Sequence, residues 1–317
     1  MLAFFTSCLR VISSSWQTTI AWIKYTWVNV KGTVDKVNPK FHRYATLVAV
    51  SSLILIAIGA YITSQATGRQ PESRGILDGV IHKDVAIAVG ILVLGLAVWQ
   101  SLDQEVSPLV WTALGLFALE GWVGWLGGAL LHASLAPLAF AIFVAIALVT
   151  SSGWNEGPEL VEDPSAPALR LFAFATPPLI LLQIMLGAAY CHKLTGLLPH
   201  LGGAMIVSLA VLILSMLILQ RHPEHRKLCA AATWLISILL AQVMLGLTAF
   251  IMPLLTSSPA ANIAATALHV VVGSLTLAAN LVLAMQILRN VRPAPAGNLT
   301  HLAGKVPVTS QSPGTSH

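Results

Sequence analysis

Four histidines stand where their side chains could ligate a metal. His82, His132, His200 and His269 each lie near the start of a long apolar stretch of the chain. Neutral imidazole is a common metal ligand and an axial ligand of haem iron. Two histidines on facing helices of a four-helix bundle can hold one such group between them. The spacing therefore indicates two bis-His sites, His82 with His132 and His200 with His269.

The elements that must position these histidines are membrane helices. Apolar residue types make up 56% of the 317 residues and charged types only 9%, and the mean hydropathy is +0.80. Soluble domains carry roughly 25% charged residues, so this chain lacks the polar surface that water requires. A helix needs about 20 apolar residues to cross the hydrocarbon. Eight stretches are long enough, at about 44–64, 84–101, 108–127, 129–150, 170–190, 200–220, 229–253 and 264–288. Because backbone amides in lipid must be paired within their segment, we predict an all-α membrane protein with eight transmembrane helices.

The distribution of positive charge predicts the orientation. The formal net charge is +5 and the isoelectric point is near 9.3. If the N-terminus is inside, only Arg69, Arg74, Lys83 and Lys193 fall outside, and the other basic residues are cytoplasmic. This positive-inside bias predicts a multi-pass protein of the inner (cytoplasmic) membrane with both termini in the cytoplasm. The basic balance then reflects topology, so we expect no nucleic-acid partner. It also places all four histidines near the outer boundary of the hydrocarbon.

Matching positions indicate an internal repeat of four helices. Gly59 and Gly187 occupy equivalent places near the ends of helices one and five. Residues 120–124 of helix three, Glu-Gly-Trp-Val-Gly, align with residues 242–246 of helix seven, Gln-Val-Met-Leu-Gly. An even number of spans in each half makes the repeats parallel rather than inverted. We therefore predict two tandem four-helix bundles.

Composition divides the chain into five segments. Residues 1–43 read as an amphipathic segment on the cytoplasmic membrane face. The first bundle covers 44–150, a cytoplasmic linker rich in Pro, Gly and acidic residues covers 151–169, and the second bundle covers 170–290. Residues 291–317 are rich in Pro, Gly, Ser and Thr, which is typical of a disordered cytoplasmic tail. The histidines of the inner side and the tail are expected to be solvated: His42, His222, His225, His301 and His317.

Two acidic residues are candidates for catalysis. Glu120 lies in the apolar run of helix three, where a carboxyl is costly unless it is paired, so it is a candidate for proton handling or substrate contact. The alternative is a polar hydrogen bond between helices. Asp78 precedes His82 by four residues, which is one turn if the helix begins that early, and it could act as a general base. The alternative is an ordinary acid near a helix N-terminus.

Over about residues 41–290 the chain resembles the haem A synthase family of cytochrome oxidase assembly proteins. The resemblance rests on Phe41-His42-Arg43, on residues 186–192 (Leu-Gly-Ala-Ala-Tyr-Cys-His) and on the four histidines. It implies an oxidoreductase that converts a methyl group of haem o into the formyl group of haem a. The second histidine pair would bind a resident haem b, and the first pair would flank the substrate, haem o. We expect further cofactor contacts on the outer side from His192, and from the cations Lys83 and Lys193 to the haem propionates.

The resemblance also implies partners. Haem o synthase and terminal oxidase assembly factors are expected to exchange haem with the chain. Electrons would leave to a membrane quinone or another acceptor, and self-association into a homo-oligomer stays open.

The chain departs from the family at three places in its first half. Gly79 stands where the family carries Glu, Lys83 stands where it carries Arg, and the cysteine pair common in the first outer loop is missing from residues 65–81. The alternative function is therefore a non-catalytic haem b protein, either a redox subunit or a haem carrier of a respiratory complex. A third interpretation is a transporter or structural protein whose histidines make only polar contacts.

Overall fold

A computed structural model describes residues 38–68, 76–102, 107–255 and 258–294. Almost all of the predicted amphipathic segment 1–43 and of the predicted tail 291–317 lies outside the described residues. The described chain is mostly helical, in agreement with the predicted class of all-α membrane protein.

Eight long helices make up the described chain. Two of them begin with a proline directly after a serine, at Pro108 and Pro259. Proline is tolerated there because the N–H groups of the first helical turn make no hydrogen bond within the helix. The helices are α1 (Pro39–Gly68), α2 (Ile76–Leu102), α3 (Pro108–Trp125), α4 (Ala129–Val149), α5 (Ala166–Cys191), α6 (Leu197–Arg221), α7 (Arg226–Leu255) and α8 (Pro259–Asn290).

Seven of these helices are long and apolar enough to cross a membrane, within the ranges described above. The helix that falls short is α3, which has 18 residues and therefore a length of about 27 Å. Glu120 and three glycines, at positions 115, 121 and 124, lower its hydropathy. Large apolar side chains such as Ile87, Ile91 and Met205 are exposed on the helix surfaces, which is the pattern expected where lipid is the solvent.

The helices pack as two rings of four. In the first ring each helix contacts the next along the chain, and α4 closes the ring against α1. The second ring is formed in the same way by α5 to α8. The rings meet through α1 and α4 on one side and α5 and α8 on the other, and α8 is the most deeply buried of the candidate spans. In each ring the second and fourth helices therefore lie diagonally opposite one another.

A small polar assembly closes the end opposite the four histidines. Two three-residue strands, β1 (Val161–Asp163) and β2 (Val291–Pro293), pair in parallel and join the linker to the residues after α8. The first three residues of the predicted disordered tail, 291–293, are therefore in a strand. The expectation that His222 and His225 are solvated is wrong, because both are buried: His222 Nε2 lies 3.0 Å from Asp163 Oδ2, and His225 Nε2 lies 3.0 Å from the carbonyl oxygen of Glu159.

Candidate functional site: two histidine pairs

The first histidine pair spans the interior of the first ring. His82 lies in the second turn of α2 and His132 in the first turn of α4, on diagonal helices. Their ring centres are 6.1 Å apart and their planes are perpendicular, at 90°. The structure thus brings together two residues that are separated by 50 positions and by all of α3.

The second pair repeats this geometry in the second ring. His200 lies in the first turn of α6 and His269 lies about three turns into α8. Their ring centres are 6.2 Å apart and their planes make an angle of 89°. Two imidazoles bound to opposite sides of one metal, each through a bond of about 2 Å, have ring centres about 6 Å apart. The separations of the ring centres in both pairs are close to this value.

A glycine lies against each of the four imidazoles. A β-carbon built on Gly59 of α1 would lie 3.1 Å from His82 Cε1, and one on Gly124 of α3 would lie 2.8 Å from His132 Nδ1. In the second ring the distances from Gly187 and Gly246 to the Cε1 atoms of their histidines are 2.9 Å and 2.8 Å. Each imidazole thus occupies space that only a glycine on the preceding helix leaves open.

A tight turn positions His132 against α3. The connection from α3 to α4 is only Leu126 to Gly128, and Gly127 has a φ of +81° that a side chain would strain. The turn returns the chain so closely that His132 Nδ1 lies 3.1 Å from the carbonyl oxygen of Glu120 and 3.1 Å from its carboxylate Oε1. Glu120 therefore makes a polar contact between helices, as one of the two predictions for it required.

The polar contacts of the second pair follow a related pattern. His269 Nδ1 lies 3.1 Å from the carbonyl oxygen of Gln242, as His132 Nδ1 does from that of Glu120. His200 Nδ1 lies 2.9 Å from Gln183 Nε2. His82 differs, because its buried Nδ1 has no hydrogen-bond partner in the described part of the chain.

These contacts leave a ligating atom free on His132 and His269. When Nδ1–H donates to a backbone carbonyl, the lone pair is on Nε2, and this is the common arrangement of metal-bound histidine. Gln242 Nε2 lies 3.4 Å from His269 Nε2, so in the absence of a metal the amide can donate to that lone pair. The described residues hold no cluster of three or more His, Cys, Asp or Glu side chains that could bind an ion by themselves.

The other predicted site residues are Asp78, Lys83, His192 and Lys193. Asp78 lies in α2, which begins at Ile76, so it is one turn before His82 on the same helix as the prediction required; its side chain is outside the described residues. Lys83 is exposed directly after His82. His192 caps α5, and Lys193 follows it with a φ of +58°. No hydrogen bond or ion pair given for the described residues connects these last three residues to the four histidines.

The contact between each glycine and an imidazole was not predicted from the sequence. The glycines were used only as markers of the repeat, although the spacing held a further signal. Glu120, Gln183 and Gln242 each precede such a glycine by four residues, which is one helical turn. A polar side chain one turn from a glycine in an apolar helix thus marks the face that receives a histidine.

No protein-family model matches this chain, and no curated protein matches it.

Proposed function

We propose that this chain is a membrane haem protein with two bis-His sites and that it acts as a haem A synthase-like oxidoreductase. The observation that carries the proposal is the pair of diagonal histidine contacts, His82 with His132 and His200 with His269, each at the separation of two ligands on one metal. The two contacts agree closely, with ring centres 6.1 Å and 6.2 Å apart and interplanar angles of 90° and 89°.

The number of protein ligands favours haem over a bare ion. A structural zinc ion takes four protein ligands and a catalytic one takes three, whereas each site offers two imidazoles. Haem iron is bound partly by the haem ring itself, so the two histidines of each pair would be enough to hold one haem. The glycines fit the same proposal, because each leaves the space in which an imidazole lies against the neighbouring helix.

We also propose that all eight helices cross the membrane, as two tandem repeats of four. Eight spans arranged as two tandem, parallel four-helix bundles would place every histidine of the two pairs at one depth near the outer face. The equivalent contacts in the two rings support this proposal. In both rings each imidazole lies against a glycine. The Nδ1 atoms of His132 and His269 lie against the backbone carbonyls of Glu120 and Gln242.

The division of roles follows the resemblance. His200 and His269 would hold a resident haem b, and His82 and His132 would hold the substrate, haem o. A bound haem supplies one-electron redox chemistry. With a quinone or another acceptor taking the electrons, water would supply the oxygen atom, so that the methyl group and one water give the formyl group, four protons and four electrons. Asp78, one turn before His82, would accept one of these protons. Lys83, His192 and Lys193 would face the haem propionates at the outer side.

Partners and location are proposed on the same basis. Haem o would come from haem o synthase, haem a would pass to terminal oxidase assembly factors, and a membrane quinone or another acceptor would take the electrons. The protein would reside in the inner (cytoplasmic) membrane with both termini in the cytoplasm, either alone or as a homo-oligomer.

One observation favours a second candidate function. Gly79 stands where the family carries a carboxylate, and nothing lies within 4 Å of a β-carbon built there. A chain without that acid could bind haem b at both sites and transfer electrons or haem without oxidising a substrate.

The first experiment is a reduced-minus-oxidised spectrum with haem extraction on the purified protein. We expect two haems per chain, with His132→Ala and His269→Ala each losing one of them. His42→Ala is the matched control, because His42 contacts Thr150 Oγ1 at 3.3 Å, away from both pairs, and it should keep both. Well-folded protein from haem-replete cells that carries no haem would refute the proposal.

Conversion of added haem o separates the two candidates. Formation of haem a by the unsubstituted protein would support the synthase function, and a two-haem protein that never forms haem a would support the redox subunit or carrier. An Asp78→Asn variant that converts haem o at the normal rate would remove Asp78 as the base.

A further inference from the structure

The four helices that carry the glycines differ at one position. The residue four places before the glycine is Leu55 in α1, Glu120 in α3, Gln183 in α5 and Gln242 in α7. In three of the four helices this residue contacts the imidazole that lies on the glycine. Only one of the three, Glu120, is ionisable. The two rings therefore share the same backbone arrangement, but only the first has an ionisable side chain at this position.

Glu120 is placed to act on His132 rather than on solvent. Its side chain is buried, with the whole residue 5% exposed, and its Oε1 lies 3.1 Å from His132 Nδ1. The equivalent side chain in the second ring, Gln242, approaches the opposite nitrogen, Nε2, at 3.4 Å. The backbone contact to Nδ1 is the same in both rings, at 3.1 Å, so the carboxylate is the added feature of the first site.

We infer that Glu120 is a positioning residue that holds His132 through Nδ1–H and makes it a stronger donor to a metal at Nε2 than His269. The inference rests on the proposed function, because it concerns haem held by the two pairs. A carboxylate hydrogen-bonded to the far nitrogen of a ligating histidine raises the basicity of the ligand. Its negative charge acts in a medium of low dielectric constant, where it is weakly screened.

The direction of the effect follows from charge. Ferric haem carries one more positive charge than ferrous haem, so a nearby carboxylate stabilises the ferric form and lowers the reduction potential. The first site therefore has the lower potential, and electrons pass from the first histidine pair to the second. A buried carboxyl in a membrane helix is costly without a partner, and the Nδ1–H of His132 supplies that partner.

The test is a redox titration of each haem in isolation. In the His269→Ala background only the first site is filled, and we expect Glu120→Gln to raise its potential. In the His132→Ala background only the second is filled, and we expect Gln242→Glu to lower its potential. Each shift should be at least tenfold in the reduction equilibrium, or about 59 mV for one electron. The control is Gln183→Glu, which adds an acid beside His200 in the second ring and should leave the first haem unchanged.

These experiments distinguish failure of the inference about Glu120 from failure of the haem proposal. Haem that stays bound with the same potential in Glu120→Gln and in Gln242→Glu would overturn the inference about Glu120 and leave the haem proposal standing. Unsubstituted protein without haem would overturn the proposed function itself. If Glu120→Gln cannot hold haem, the sign of the shift in Gln242→Glu decides the question.

Discussion

Each imidazole of the two pairs lies against a helix backbone, and this contact restricts its orientation. The β-carbons that glycine lacks would come within 3.1 Å or less of the ring atoms at all four positions. Such distances require either the ring or the helix to move. A ligating histidine must keep its ring nitrogen aimed at the metal, so a displaced ring weakens the site more than it weakens the fold.

A glycine-to-alanine pair on α3 tests this role. In Gly124→Ala the new methyl group would lie 2.8 Å from His132 Nδ1, and we expect the haem of the first site to be lost or bound at least tenfold more weakly. Gly121→Ala is the matched control, because nothing lies within 4 Å of its β-carbon. Alanine is favoured over glycine in a helix interior by up to about 1 kcal/mol, so the control should be neutral or slightly stabilised. Equal haem content in the two variants would contradict the role assigned to Gly124.

The four histidines and their pairing could be predicted from the sequence, but the geometry of the contact within each pair could not. Residue type, apolar surroundings and the four-helix period singled out His82, His132, His200 and His269. Whether two of them face each other depends on the diagonal placement of α2 and α4, which is a property of the packed ring. Glu120 carried two competing interpretations for the same reason, since only the tight turn at Gly127 brings it to His132.

At the scale of elements, the linker is held by a buried acid. Asp163 at the end of β1 accepts hydrogen bonds from the backbone N–H and the hydroxyl of Ser165, at 2.7 Å and 2.6 Å, and lies 3.0 Å from His222 Nε2. Burial alone would raise the pKa of Asp163, but the bonds from Ser165 and His222 outweigh burial and hold the pKa below its usual value. The strand pair was not predictable, because three-residue strands 130 positions apart leave no periodic pattern.

Asp163→Asn is expected to destabilise the fold at neutral pH by about 1–3 kcal/mol, since it weakens charged hydrogen bonds in a buried place. Because the folded pKa is depressed, the carboxylate contributes its full stability above the ordinary Asp pKa of about 3.9. That contribution is lost as the pH falls through the folded value. The difference in unfolding midpoint between wild type and variant should therefore shrink on acidification below about pH 4. Glu162→Gln, on the neighbouring exposed residue of the same strand, should match wild type throughout. A gap that is constant with pH would show that Asp163 acts without its charge.

At the scale of the whole molecule, the first histidine pair constrains the path of α3. His82 and His132 both lie in the N-terminal part of their helices and are in contact, so α2 and α4 run in the same direction. The chain returns between them through α3, so the proposal of eight spans requires α3 to cross the membrane as well. It is the shortest of the eight helices, with 18 residues, and its buried Glu120 lowers its hydropathy, yet the proposed site needs it to span.

Single cysteines on either side of α3 and α5 test this topology. In a chain with Cys8, Cys191 and Cys229 replaced by Ser, we expect a membrane-impermeant maleimide to label Leu126→Cys and Lys193→Cys in intact spheroplasts. Ser107→Cys and Glu162→Cys should react only after lysis. The reason is that the positive-inside bias puts the linker in the cytoplasm and an even number of spans returns each bundle to that side. Labelling of Ser107→Cys and Leu126→Cys from the same side would mean that α3 does not cross. The two members of the first pair would then begin at opposite faces of the membrane, and a haem shared between them would be excluded.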